Sequence, residues 1–217
     1  MQDDIVLIDK PAGMTSFGVV ARVRRRLSER AGKRVKVGHT GTLDPFATGV
    51  MVLVIGAATK RAGEFSKLDK VYEATITLGK TSSTGDPEGD ITAVSDIHPS
   101  ESMVNDALTQ FMGEIQQTPP MFSAIKINGQ RAYKLARKGE AVEMPTRTIT
   151  IYSLELLEYT YPEIKIRAHV SSGTYIRTLA EDIGKVLGVG AYCSELRRTA
   201  VGEYTQQDAI VLAKYMS

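Results

Sequence analysis

The sequence predicts an α+β fold. Two observations carry that expectation: strands are expected in succession at 148–157 and 163–170, and the helical patterns elsewhere do not follow each strand in turn. A doubly wound parallel sheet requires that regular alternation. In chain order, residues 4–8 read as a strand. Ser16 is placed to cap a helix whose apolar positions Phe17, Val20, Val23 and Leu27 fall at helical spacing. Residues 50–55 form a short apolar strand, and 71–79 alternate with Tyr72, Ala74, Ile76 and Leu78 on one face. Thr84-Gly85-Asp86-Pro87-Glu88-Gly89 punctuates as a turn. Ser100 is placed to cap a second helix carrying Val104, Leu108 and Phe111, with Gly113 to end it. In the stretch 163–170, Ile164, Ile166, Ala168 and Val170 share a face; a helix then spans about 174–187 up to Gly188, and a terminal helix occupies about 206–215.

With 217 residues, 42% hydrophobic and 24% charged, the chain can bury a core as one large domain or two packed lobes. No basic apolar leader opens it and no apolar run approaches membrane-spanning length, so a cytoplasmic location with no membrane partner is expected. Cys193 is the only cysteine, which excludes an intrachain disulfide and a thiolate metal cage. His39, His98 and His169 show no zinc spacing, and the expectation is chemistry without metal or cofactor.

The net charge of +2 says little about partners, but its distribution says more. Residues 22–36 hold Arg22, Arg24, Arg25, Arg26, Arg30, Lys33, Arg34 and Lys36 against the single acid Glu29. A second segment carries Lys126, Arg131, Lys134, Arg137 and Lys138 with no acid between them. Such runs suit either a solvated helix face or a track of phosphates.

The stretch from Gly38 to Val50, GHTGTLDPFATGV, fixes one carboxylate in a constrained loop. Glycines at 38, 41 and 49 permit close approaches, and Pro45 restricts Asp44 to an extended or turn geometry. Asp44 on its own fits a turn carboxylate bonded to its backbone as well as a reactive group. The longer pattern resembles the catalytic loop of the TruB family, the tRNA pseudouridine-55 synthases. The resemblance continues through Ile8-Asp9-Lys10-Pro11-Ala12-Gly13-Met14-Thr15-Ser16, Ala58-Thr59-Lys60, Lys70-Val71-Tyr72, Ser172-Gly173-Thr174-Tyr175-Ile176-Arg177 and Glu195-Leu196-Arg197-Arg198-Thr199. These motifs keep family order and run from about residue 5 to about residue 205. They imply a single pseudouridine synthase catalytic domain over 1–217, an RNA-gripping insertion at about 113–147 and no room for the family's C-terminal PUA domain.

The resemblance implies a pseudouridine synthase fold, with a mixed, largely antiparallel sheet, flanking helices and a central active-site cleft. It also implies an isomerase acting, as a monomer, on the T-loop uridine of tRNA. Asp44 then attacks the sugar or stabilises its positive character, and Arg177 keeps Asp44 ionised and oriented. Tyr72 has two open readings, a catalytic one in which its ring stacks on a flipped uracil and its hydroxyl assists proton movement, and packing in the core with its strand neighbours. His39, Lys60, Tyr175 and Leu196 become substrate-binding candidates, and Arg22, Arg25, Lys126, Arg131 and Lys134 become RNA contacts. Alternatives are a synthase for another RNA and a tRNA-folding chaperone. A glycosidase is less fitting, because nothing in the sequence sets Asp86 or Glu88 beside Asp44 as the second carboxylate.

Overall fold

A computed structural model describes residues 5–123, 125–127, 129–136, 138 and 143–216. Residue 4 of the first expected strand, Asn128 and Arg137 lie outside the described residues. The first half of the chain forms β1 (Ile5–Lys10), α1 (Ser16–Ala31), β2 (Val37–His39), β3 (Thr48–Ile55), a short tight helix at Gly56–Arg61, α2 (Ala62–Ser66), β4 (Lys70–Leu78), β5 (Lys80–Ser82), β6 (Ile91–Ala93) and α3 (Glu101–Thr109). The second half adds β7 (Gly113–Gln117), β8 (Lys126–Ile127), β9 (Gln130–Arg131), α4 (Ala132–Ala136), β10 (Arg147–Thr160), β11 (Glu163–Val170), α5 (Ile176–Val186), β12 (Ala191–Val201), β13 (Tyr204–Thr205), β14 (Ile210–Val211) and α6 (Leu212–Met216). The chain divides into two compact units, Met1–Glu73 with Leu196–Ser217, and Ala74–Glu195. It passes between them inside β4 and returns inside β12.

In the first unit β3 is central. It pairs antiparallel with β1 and β2 and parallel with β12, while β14 lies parallel against β1. Covered on both faces, β3 is buried from Gly49 to Ile55, which explains a continuous apolar run in place of an alternating one. Val50, Val52 and Val54 form a core cluster with Ala58, Phe65 and Val201. The α1 cap differs from the expected one. Thr15 is the N-cap, its hydroxyl accepting from Gly18 N–H at 3.0 Å, and Ser16 is the first helical residue. The buried face is Ser16, Val19, Val20 and Val23, whereas Phe17 is 63% exposed with the Arg24 guanidinium 5.7 Å from its ring centre. The terminal helix is also shorter than expected, because Ile210 and Val211 pair with Ile8 and Asp9 and leave only Leu212–Met216 helical.

In the second unit the strands run β4, β11, β10, β7. A long antiparallel hairpin, β10 with β11, carries the burial alternation foreseen at Ile164, Ile166, Ala168 and Val170. Helix α3 starts as expected, with Ser100 accepting from Met103 N–H at 3.2 Å, but ends before Phe111; Gly113, at φ +88°, turns the chain into β7. Helix α5 begins at Ile176 and stops short of Gly188, whose φ is +72°. Within the expected insertion, β8 and β9 form a hairpin that leads into α4. Antiparallel and parallel pairings together make the sheet mixed, and the class is α+β. Among the described residues no helix is long and apolar enough to cross a membrane.

Candidate active site

The loop between β2 and β3 carries Asp44, and its neighbours are tied down on several sides. Ser16 Oγ donates to Leu43 O at 2.9 Å and accepts from Leu43 N–H at 2.8 Å, holding the buried Leu43 to the first turn of α1. On the other side of Asp44, Pro45 O accepts from Gly13 N–H at 2.9 Å and from Lys10 Nζ at 3.1 Å. Lys10 is fully buried and also donates to Pro11 O and Met14 O at 2.8 and 2.7 Å. The motif lysine is thus a fastener between two loops.

Arg198 holds the loop from β12. Its Nε donates to Val50 O at 2.8 Å, its Nη2 to Gly41 O at 3.2 Å and its Nη1 to Thr42 O at 3.4 Å, so one buried guanidinium grips both arms of the loop. Gly49 makes this possible. A Cβ at Gly49, where φ is +106°, would strike the Arg198 backbone, whereas one at Gly41 would only reach contact distance, 3.4 Å, from Arg198 Nη1. Adjacent strand residues face opposite ways, so Arg197 turns to the other side. There it forms a two-point ion pair with Asp9, Nη1–Oδ1 at 3.2 Å and Nη2–Oδ2 at 2.9 Å. Burial, reinforced by the charge of Arg198, lowers the Lys70 ammonium to a pKa of about 8. Lys70 Nζ donates to the carbonyls of Ser66 and Leu68.

Of the other candidates in this unit, Tyr72 and Leu196 are buried, each 8% exposed, and His39 is half-buried at the end of β2. Lys60, Arg22 and Arg25 are exposed, the last two on α1.

In the second unit Arg177 is buried at the start of α5, 2% exposed, and so is not a solvated helix charge. Its Nη1 meets Asp86 Oδ2 at 3.2 Å and Thr84 O at 2.8 Å, and its Nη2 donates to Phe122 O at 2.8 Å. Asp86 in turn accepts from Thr84 Oγ1 at 2.6 Å and Glu88 N–H at 3.1 Å. The turn at 84–89 therefore seats a buried carboxylate, a role that its Gly/Pro punctuation did not announce. Glu181 crowds the same turn, and burial pushes its carboxyl up from the ordinary range. Tyr175 caps α5, and Gln117 clamps its backbone by accepting from Tyr175 N–H at 2.8 Å and donating to Tyr175 O at 3.0 Å. Lys126 and Arg131 on the hairpin and Lys134 on α4 are exposed. Sequence reasoning missed Asp86, Gln117 and the loop-holding work of Lys10 and Arg198; the last two were visible only as members of motifs.

Comparison with known proteins identifies the family. A family model described as TruB family pseudouridylate synthase (N terminal domain) matches residues 24–176, and one described as tRNA pseudouridylate synthase B C-terminal domain matches residues 177–216. A tRNA pseudouridine synthase B of Parabacteroides distasonis is 51% identical over 93% of this chain and 87% of its own length. One of Phocaeicola vulgatus is 47% identical over 99% of this chain and 92% of its own length. A chain in the crystal structure of a Cbf5-Nop10-Gar1 complex superposes with a TM-score of 0.75 at 32% identity, over 98% of this chain. The present chain spans about half of that longer one, 53%.

Proposed function

The chain belongs to the TruB family of pseudouridylate synthases, and on that premise we propose that it converts a tRNA uridine, the one in the T-loop, to pseudouridine. The observation that carries this reading is the Asp44 loop, a carboxylate whose flanking peptides are held by Ser16, Gly13, Lys10 and Arg198. The reaction breaks the C1′–N1 bond, turns the uracil, joins C5 to C1′, releases the C5 proton to solvent and takes one proton back on N1. Atoms and electrons balance without a redox partner. Asp44 supplies a negative charge at the sugar, as nucleophile or as stabiliser of positive character. A rigid backbone keeps that charge in position without reorganisation during the reaction.

Arg177 is proposed to orient Asp44. Its own orientation is set by Asp86, Thr84 and Phe122, which support that role because they leave the guanidinium little freedom. Tyr72 stacks on the flipped base and assists proton movement, His39 holds the flipped nucleotide, and Tyr175 and Leu196 wall the pocket. Lys60, Arg22, Arg25, Lys126, Arg131 and Lys134 contact phosphates. The proposal includes a monomer working in the cytoplasm without metal or cofactor.

Incubation with unmodified tRNA transcript, followed by site-resolved pseudouridine mapping, tests the reading. Modification confined to the T-loop is the expected result. Modification elsewhere assigns another RNA target, and binding without conversion assigns a folding role.

A further inference from the structure

Arg147, the first residue of β10, carries a guanidinium whose donors are not all used. Its Cζ lies 5.0 Å from the centre of the Tyr175 ring. Its Nη1 occupies space that a side chain at 173 would take, since a Cβ on Gly173 would come within 3.1 Å. The other edge, Nε and Nη2, is buried and has no hydrogen-bond partner among the described residues. These two N–H groups point side by side, the geometry that grips two oxygens of one carboxylate or phosphate. A guanidinium does not shed its charge, so desolvating that edge without an acceptor is costly. The surroundings are fixed as well. Arg147 pairs with Gln117 across β7 and β10, and Gln117 clamps the Tyr175 backbone.

We propose that the Nε–Nη2 edge of Arg147 receives one phosphodiester of the RNA substrate beside Tyr175. The inference rests on the tRNA reading above, under which phosphates are the anions the substrate offers. Both nitrogens are covered in the free chain, so the contact forms after encounter, with a small side-chain shift. Its effect falls chiefly on the dissociation rate.

The test uses the whole chain with tRNA T-stem-loops carrying one neutral methylphosphonate linkage at a time. Wild type is expected to lose about tenfold in affinity at one linkage, in the range of a charge-assisted contact. Arg147→Met is expected to bind unmodified RNA about tenfold more weakly, to ignore that same linkage, and to show a salt slope shallower by about one. Arg147→Lys keeps the charge without the fork, and is expected to restore the slope but not the affinity. Without RNA, Arg147→Met is expected to melt at the wild-type temperature or above, because the buried, unsatisfied Nε–Nη2 edge has been removed. A variant as sensitive as wild type at every linkage overturns the proposal, as does a free chain destabilised in step with the lost affinity. Wild type that binds no tRNA overturns the tRNA reading and this one together. Wild type that binds and converts tRNA while Arg147→Met matches it overturns this one alone.

Discussion

Asp44 is positioned by its neighbours' backbone, so an isosteric change at Asp44 should leave the loop standing. Asp44→Asn is expected to slow single-turnover conversion by at least about a thousandfold, the scale on which loss of an essential catalytic group is felt, with tRNA affinity nearly unchanged. Near-normal conversion would remove Asp44 from the mechanism. Arg177 and Asp86 behave differently, being a buried pair at 3.2 Å. Asp86→Asn takes the Asp86 carboxylate away from the buried guanidinium, and urea melts should show a loss of about 3 kcal/mol or more. A loss under about 1 kcal/mol would mean that the hydrogen bonds to Thr84 O and Phe122 O suffice. Lys70 gives a pH signature. Its ammonium titrates near 8 when folded and near its ordinary 10.5 when unfolded, so between those values the unfolded chain binds the extra proton. Stability therefore rises with pH across that window. Lys70→Met should flatten this rise, and identical pH dependence of melting in both proteins would assign it to other groups. At this scale sequence was informative where side-chain parity decides, as at Tyr72, buried with Ala74, Ile76 and Leu78. It was silent on Asp86, because a turn residue whose partner lies far along the chain leaves no local trace.

Elements were legible where the periodic signal was apolar. Strands β4, β10 and β11 and helix α3 stand close to their expected bounds because their buried faces are built from aliphatic side chains. Strand β12 was not foreseen. Its inward side chains include Arg198, whose burial depends on backbone carbonyls in the Asp44 loop, so hydrophobic alternation cannot find it. The α1 cap was misassigned by one residue for a similar reason: Thr15 and Ser16 both suit a cap locally, and the tertiary bond from Ser16 to Leu43 decides between them. The β3–β12 pairing also makes a prediction. Gly49 lies opposite Arg198 at φ +106°, and a Cβ there would lie 2.8 Å from Arg198 N and closer still to its carbonyl oxygen. Gly49→Ala combines left-handed backbone strain with overpacking, each worth about 1–3 kcal/mol. Thermal melts should show a drop of about 10 °C or more, in line with the usual conversion for a chain of this size. An unchanged melting temperature would mean that β12 can move away without loss.

For the molecule as a whole, the order of strands and helices set the class and motif order set the family, while each of the two units carries a basic cluster of its own. Arg22 and Arg25 stand exposed on α1 in the first unit; Lys126, Arg131 and Lys134 stand exposed on the β8–β9 hairpin and α4 in the second. A net charge of +2 hides both clusters. If both face phosphate, each neutralised contact removes about one released counterion, and the slope of log affinity against log salt should fall by about 0.9 per duplex contact. Replacing Arg22 and Arg25 with Gln should therefore weaken tRNA binding at low salt and make it less salt-dependent, with the site of modification unchanged. Replacing Lys126, Arg131 and Lys134 should do the same, and the two sets should add in free energy if they act on different phosphates. Affinity over a salt series for the wild type, each set and the combination decides the matter. A slope that stays at the wild-type value in the combined variant would mark both clusters as solvated surface, and would leave the buried edge of Arg147 as the phosphate contact to pursue.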